Sequence, residues 1–62
     1  MIIVMRKDAS QKDIDTIVKY IETHNLKAHP TLGNKRIVIG VMGNVKMINK
    51  DHIDQMPGVE KT

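Results

Sequence analysis

Between Ser10 and Asn25 the apolar residues Ile14, Ile17, Val18 and Ile21 recur at i, i+3, i+4 and i+7 among mostly polar neighbours. That spacing gathers one stripe on a 3.6-residue period and predicts an amphipathic helix. Ser10 offers a hydroxyl to cap its start. Asp13 follows three residues later, a capping-box-like arrangement that also places acid at the positive helix end. Asn25 suits the left-handed residue that ends a helix, and Leu26 can fold back onto the last turn.

The flanking segments alternate instead. Ile2-Ile3-Val4-Met5 is a continuous, largely β-branched run, which predicts a strand buried on both faces or one central to a sheet. From Leu26 to Gly43 two apolar runs are joined by Gly33-Asn34, residues that both tolerate positive φ, and the segment reads as a β-hairpin. In its first arm Leu26, Ala28 and Pro30 share one face, while Lys27, His29 and Thr31 share the other. Pro30 cannot donate a ladder hydrogen bond, so this arm belongs at a sheet edge. The second arm sets Ile37, Ile39 and Val41 against Val38, Gly40 and Met42. Both faces are apolar, so this arm belongs inside the sheet, and Gly40 leaves a gap through which a backbone or a ligand can approach. Asn49 caps a second, shorter helix with Ile48 and Ile53 at the spacing of a hydrophobic staple. Ile53 and Met56 supply its apolar face, and Pro57 ends it. Val59 to Thr62 reads as the start of a strand cut short.

The order β-α-β-β-α-β defines an α+β, ferredoxin-like sandwich: a four-stranded antiparallel sheet with two helices on one face. Right-handed crossovers give the spatial order 4-1-3-2, with the last strand truncated. Residues 1–62 form a single domain, read as a piece of a longer chain.

Size changes the picture. A chain of 62 residues buries only ~60% of the surface exposed on unfolding, so its core is marginal. Cysteine is absent, which removes disulfides and thiolate metal sites and fits a reducing cytoplasm. His24, His29 and His52 have no ligand-like spacing, so no metal or other cofactor is expected in this domain. Self-association or attachment to a larger body is the expected reinforcement. The net charge of +3 is interleaved along the chain, and the single aromatic, Tyr20, lies in the first helix. Neither a nucleic-acid footprint nor a base-stacking platform results. No apolar run approaches the ~20 residues of a membrane span, and the start MIIVMRK lacks signal-peptide order.

Catalytic chemistry is not on offer. Ser10 is explained by its cap, and Asp13, Asp15, Asp51 and Asp54 are placed near helix starts, where the helix dipole favours acid. No glycine-rich phosphate loop can be written. What remains is the uncovered sheet face, where Val38, Gly40 and Met42, or their opposite set, form a possible interface. His29 and Thr31, two apart on a strand, send polar tips from one face about 7 Å apart. They either fix the polar end of a ligand held between two domains or protect an edge strand from aggregation.

The start MIIVM, the helix from Ser10 with Asp13-Ile14, and the stretch His24-Asn25-Leu26-Lys27-Ala28-His29 carry a further signal. With Gly33, Arg36 to Gly43 and the closing Met56-Pro57-Gly58-Val59-Glu60, they form a collinear set covering nearly the whole chain. In these features the chain resembles the amino-terminal ferredoxin-like, ACT-like regulatory domain of a subgroup of 3-deoxy-D-arabino-heptulosonate 7-phosphate (DAHP) synthases. The resemblance implies an allosteric domain that senses tyrosine or phenylalanine and mediates feedback inhibition at the first step of the shikimate pathway. It implies that two such domains from different subunits close around the effector, with His29 and Thr31 as its contacts. It also implies a C-terminal catalytic TIM barrel, absent here, which would use a divalent metal to condense phosphoenolpyruvate with erythrose 4-phosphate. This chain would then be no enzyme by itself. The alternative is a structural dimerisation module with no ligand.

Overall fold

Strand β1 (Ile2–Met5) leads into helix α1 (Gln11–Thr23) in the computed structural model, which describes residues 1–62. The predicted cap forms in full. The Asp13 N–H donates to Ser10 Oγ at 3.1 Å, and the Ser10 N–H donates to the Asp13 carboxylate at 3.1 Å. Ile14, Ile17 and Ile21 are buried beneath the helix. Asn25 takes the left-handed conformation (φ 61°), and the Leu26 N–H then bonds the Ile21 carbonyl at 3.2 Å. The chain is thereby turned into strand β2 (Lys27–Leu32), which pairs with β3 (Ile37–Met42).

The hairpin forms, but its turn departs from the sequence reading. Neither Gly33 nor Asn34 has positive φ; Lys35 does (φ 66°), and the Gly33 N–H bonds the Arg36 carbonyl at 2.6 Å. The register explains the shift: Leu32 pairs with Ile37, so four residues close the loop, and its reversal falls one residue later. Register also explains Pro30. Hydrogen-bonded pairs alternate along an antiparallel ladder, and counting from Gly33–Arg36 makes Pro30–Ile39 a pair that exchanges no bonds. Its missing N–H faces the outer edge.

A single 3-10 turn (Val45–Met47), which the sequence did not announce, precedes helix α2 (Lys50–Asp54) and the short strand β4 (Val59–Lys61). Asn49 Oδ1 accepts from the Asp51 and His52 N–H groups at 2.9 and 3.3 Å, and Ile48 and Ile53 are both buried. The helix is shorter than the pattern implied. It ends at Asp54, and Met56 packs against the core from the turn beyond, where its N–H bonds the Ile53 carbonyl at 3.0 Å.

The sheet runs β2-β3-β1-β4, antiparallel throughout, which is the expected order read from the other edge. β2 is an edge and β3 is internal. β1 is central but not buried on both faces: Ile3 and Met5 are fully buried, while Ile2 is 59% exposed. The helices cover only one side. Between them and the sheet every buried side chain is apolar, from Ile3 and Met5 through Ile17, Ile21 and Ile39 to Ile53 and Val59. No helix is long and apolar enough to cross a membrane.

Gly58 ties β4 to this frame. Its carbonyl accepts from the Arg6 N–H at 2.7 Å, its φ is +84°, and a Cβ there would lie 2.9 Å from the Asp13 side chain. Asp13 is held by the capping box and cannot retreat without breaking it. Gly58→Ala is expected to destabilise the fold by about 2 kcal/mol, from the left-handed conformation and the contact together. A urea midpoint that falls at unchanged slope would register it; an unchanged midpoint would show that β4 does not depend on this turn.

Candidate functional site on the open sheet face

Alternation along the strands decides what the uncovered face carries. β2 presents Lys27, His29 and Thr31; β3 presents Val38, Gly40 and Met42; β1 presents Ile2 and Val4. The pairings arrange them in cross-strand rows. His29 stands opposite Gly40, which stands opposite Ile2. Thr31, Val38, Val4 and Lys61 form the next row, and Lys27 with Met42 flanks the first on its other side. Met42 is 66% exposed and Ile2 is exposed with it, while Val38, Gly40 and Val4 are half-buried. Beyond the Thr31 row, Arg36 reaches across β1 to form an ion pair with Glu60 of β4.

His29 and Thr31 are exposed side by side, as their spacing predicted, and neither side chain has a partner within the chain. The other threonines do. Thr16 and Thr23 donate to carbonyls one helical turn back at 2.8 and 2.7 Å, and Thr62 donates to Asp54 at 2.6 Å. Of the other histidines, His24 does as well. His24 Nδ1 donates to the Tyr20 carbonyl at 2.8 Å, and the Tyr20 ring lies 4.4 Å from the His24 ring and 5.2 Å from that of His52. That aromatic group belongs to the helices. The structure therefore separates His29 from His24 and His52 and sets it beside Thr31, Gly40 and Ile2.

Two acidic residues need correction. Asp54 is not near a helix start: it is the last residue of α2, where Lys50 Nζ approaches it at 3.6 Å and Thr62 donates to it. Asp15 lies past the first turn of α1 and accepts from Gln11 Nε2 at 2.9 Å. Asp13 and Asp51 occupy first turns as expected.

The sequence reading missed Ile2 and Val4 as members of the open face, although strand parity assigns them once β1 is paired. A run that is apolar at every position gives no sign of which half faces inward. Nor did it find Arg36 and Glu60, which lie 24 residues apart and meet only through the sheet order.

A two-layer βαββαβ sandwich with one sheet face bare defines a ferredoxin-like domain. The family is more specific: residues 1–62 match the family model described as the DAHP synthase ferredoxin-like domain, and the chain belongs to that family. It is 35% identical over 60 residues to the phospho-2-dehydro-3-deoxyheptonate aldolase of Thermotoga maritima, covering 97% of this chain and 18% of that protein. The crystal structure of the T. maritima enzyme, also called DAHP synthase, superimposes with a TM-score of 0.86 at 33% identity. There too the match covers 97% of this chain and 18% of the other.

Proposed function

We propose that this domain binds an aromatic amino acid, tyrosine or phenylalanine, on its open sheet face and thereby mediates feedback inhibition of a DAHP synthase. The observation that carries the reading is the His29–Thr31 pair, a histidine and a threonine left without partners on an uncovered face. An imidazole and a hydroxyl each donate and accept, so together they suit a ligand's polar end. Family membership supports the regulatory role.

The geometry of the face supports a regulatory reading. No closed pocket covers the face in the single domain, so a ligand lying on it meets one wall. A second copy from another subunit would supply the other. A site that is complete only when two domains meet binds the closed arrangement better, and a ligand shifts an equilibrium only through such a difference. A coupling of about 1–3 kcal/mol is ordinary for this kind of control. In this reading the condensation of phosphoenolpyruvate with erythrose 4-phosphate belongs to a catalytic barrel elsewhere in the enzyme. In the same reading the divalent metal of that reaction belongs to the barrel also.

A titration of the isotopically labelled chain with tyrosine and with phenylalanine tests the proposal. The NMR signals of His29, Thr31, Val38 and Gly40 are expected to shift, and silence at His29 and Thr31 with both ligands would overturn it. A second reading, association without a ligand, is favoured by the exposure of Ile2 and Met42 on the same face. Dimerisation that depends on concentration while no signal responds to either amino acid would support that reading instead.

A further inference from the structure

Gly40 has no evident reason to be glycine within this chain. It sits in the middle of an internal strand, its φ is not positive, and a Cβ built on it would meet nothing nearer than the His29 carbonyl oxygen at 3.9 Å. The fold thus has room for a side chain there. Glycine in a strand interior weakens the strand through its backbone entropy and contributes no packing. A glycine at such a position often marks a bulge, a bend or a close approach by a ligand or another backbone, and β3 is paired here without a bulge.

The neighbours show the shape of that approach. Gly40 is flanked across the sheet by His29 and Ile2, whose Cα atoms stand about two strand spacings, roughly 10 Å, apart. Along its own strand it is flanked on the same face by Val38 and Met42, each about 7 Å away. The missing side chain therefore leaves a depression one residue wide, floored by peptide and walled by His29, Ile2, Val38 and Met42. Three walls are apolar and the fourth is a free imidazole, with the Thr31 hydroxyl beyond it.

We infer that Gly40 determines the specificity of this face by admitting the flat ring of the aromatic effector directly onto the backbone. The inference rests on the amino-acid-sensing reading above and adds the residue that makes room for the ring. A planar ring suits a shallow floor that excludes bulk, and the apolar walls suit its edges. A polar group on the ring or on the amino-acid backbone then comes within reach of His29 and Thr31. The glycine trades strand stability for this contact.

Gly40→Ala and Gly40→Val test this by separating stability from binding. Gly40→Ala is expected to raise the melting temperature by a few degrees, because it fills open space and restrains the unfolded chain. It should weaken binding of the effector by roughly tenfold or more, the scale on which one methyl group discriminates in an apolar site. Gly40→Val should abolish binding at concentrations that saturate the unaltered chain. Undiminished binding in both variants overturns the inference. So does a lowered melting temperature in Gly40→Ala, which would show that the fold itself needs the glycine. If the unaltered chain binds neither tyrosine nor phenylalanine, it is the sensing proposal that fails. If, in that case, Gly40→Val abolishes dimerisation, the depression receives a side chain of a second copy, and the inference is again overturned.

Discussion

Ile39→Ala is expected to leave the domain largely unfolded at physiological temperature. Ile39 is fully buried at the centre of β3, with Pro30 opposite on β2 and Ile3 opposite on β1. Its side chain points into the layer filled by Ile17, Ile21 and Ile53. Truncating a buried isoleucine costs about 2–5 kcal/mol, from lost burial and the cavity left behind. A domain of 62 residues has a total stability of about 3–9 kcal/mol, so one such change removes much of it. Circular dichroism followed through a urea titration gives the loss directly. Ile2→Ala is the matched control: the same chemistry on the neighbouring strand, at 59% exposure, is expected to change stability by less than ~0.5 kcal/mol. Equal effects at the two positions would mean that the sheet has been given the wrong inner face.

The second large effect concerns regulation. If the domain senses aromatic amino acids as proposed, His29→Ala in a DAHP synthase carrying it is expected to raise the concentration of aromatic amino acid needed for inhibition by roughly 10- to 100-fold, the scale of one strong hydrogen bond lost within a closed site. Thr31→Val refines the result, because it removes a hydroxyl while nearly keeping the shape. Where that hydroxyl meets a phenol, inhibition by tyrosine weakens and inhibition by phenylalanine does not. Where it meets the amino-acid backbone, both weaken alike. Initial rates against effector concentration read all of these. Full inhibition persisting in His29→Ala would remove His29 from the site and the proposal with it.

How much of this was legible in the sequence depends on the range of the interactions concerned. The capping box of Ser10 and Asp13, the stripe of Ile14, Ile17 and Ile21, and the left-handed Asn25 all depend on residues within about one turn of each other. All were readable. Pro30 on an edge and the division of β3 into an Ile37-Ile39-Val41 face and a Val38-Gly40-Met42 face were readable because strand alternation is also local, but which of the two apolar faces turns inward was not. The turn at Lys35 was not, since its position is set by the pairing of Leu32 with Ile37 rather than by the permissive residues nearby. Asp54 was misplaced: it stands five residues past the Asn49 cap and closes α2, which stops short of the Met56 to which the apolar pattern extended it. The candidate site divides along the same line: the spacing of His29 and Thr31 could be read, but the lack of any partner for them could not.

By itself, then, the sequence determined the order and type of the elements, the inward face of α1, the two alternating faces of each hairpin arm, and the presence of a polar pair beside a glycine gap. Period and capping are properties of neighbouring residues, and no distant contact is needed to specify them. Only the tertiary structure decided that Ile2 and Val4 join that face, that Arg36 meets Glu60 across β1, and that Gly40 lies between His29 and Ile2. These follow from register and strand order, which bring together residues from three or four separate strands. A surface made in that way exists only once the sheet has formed.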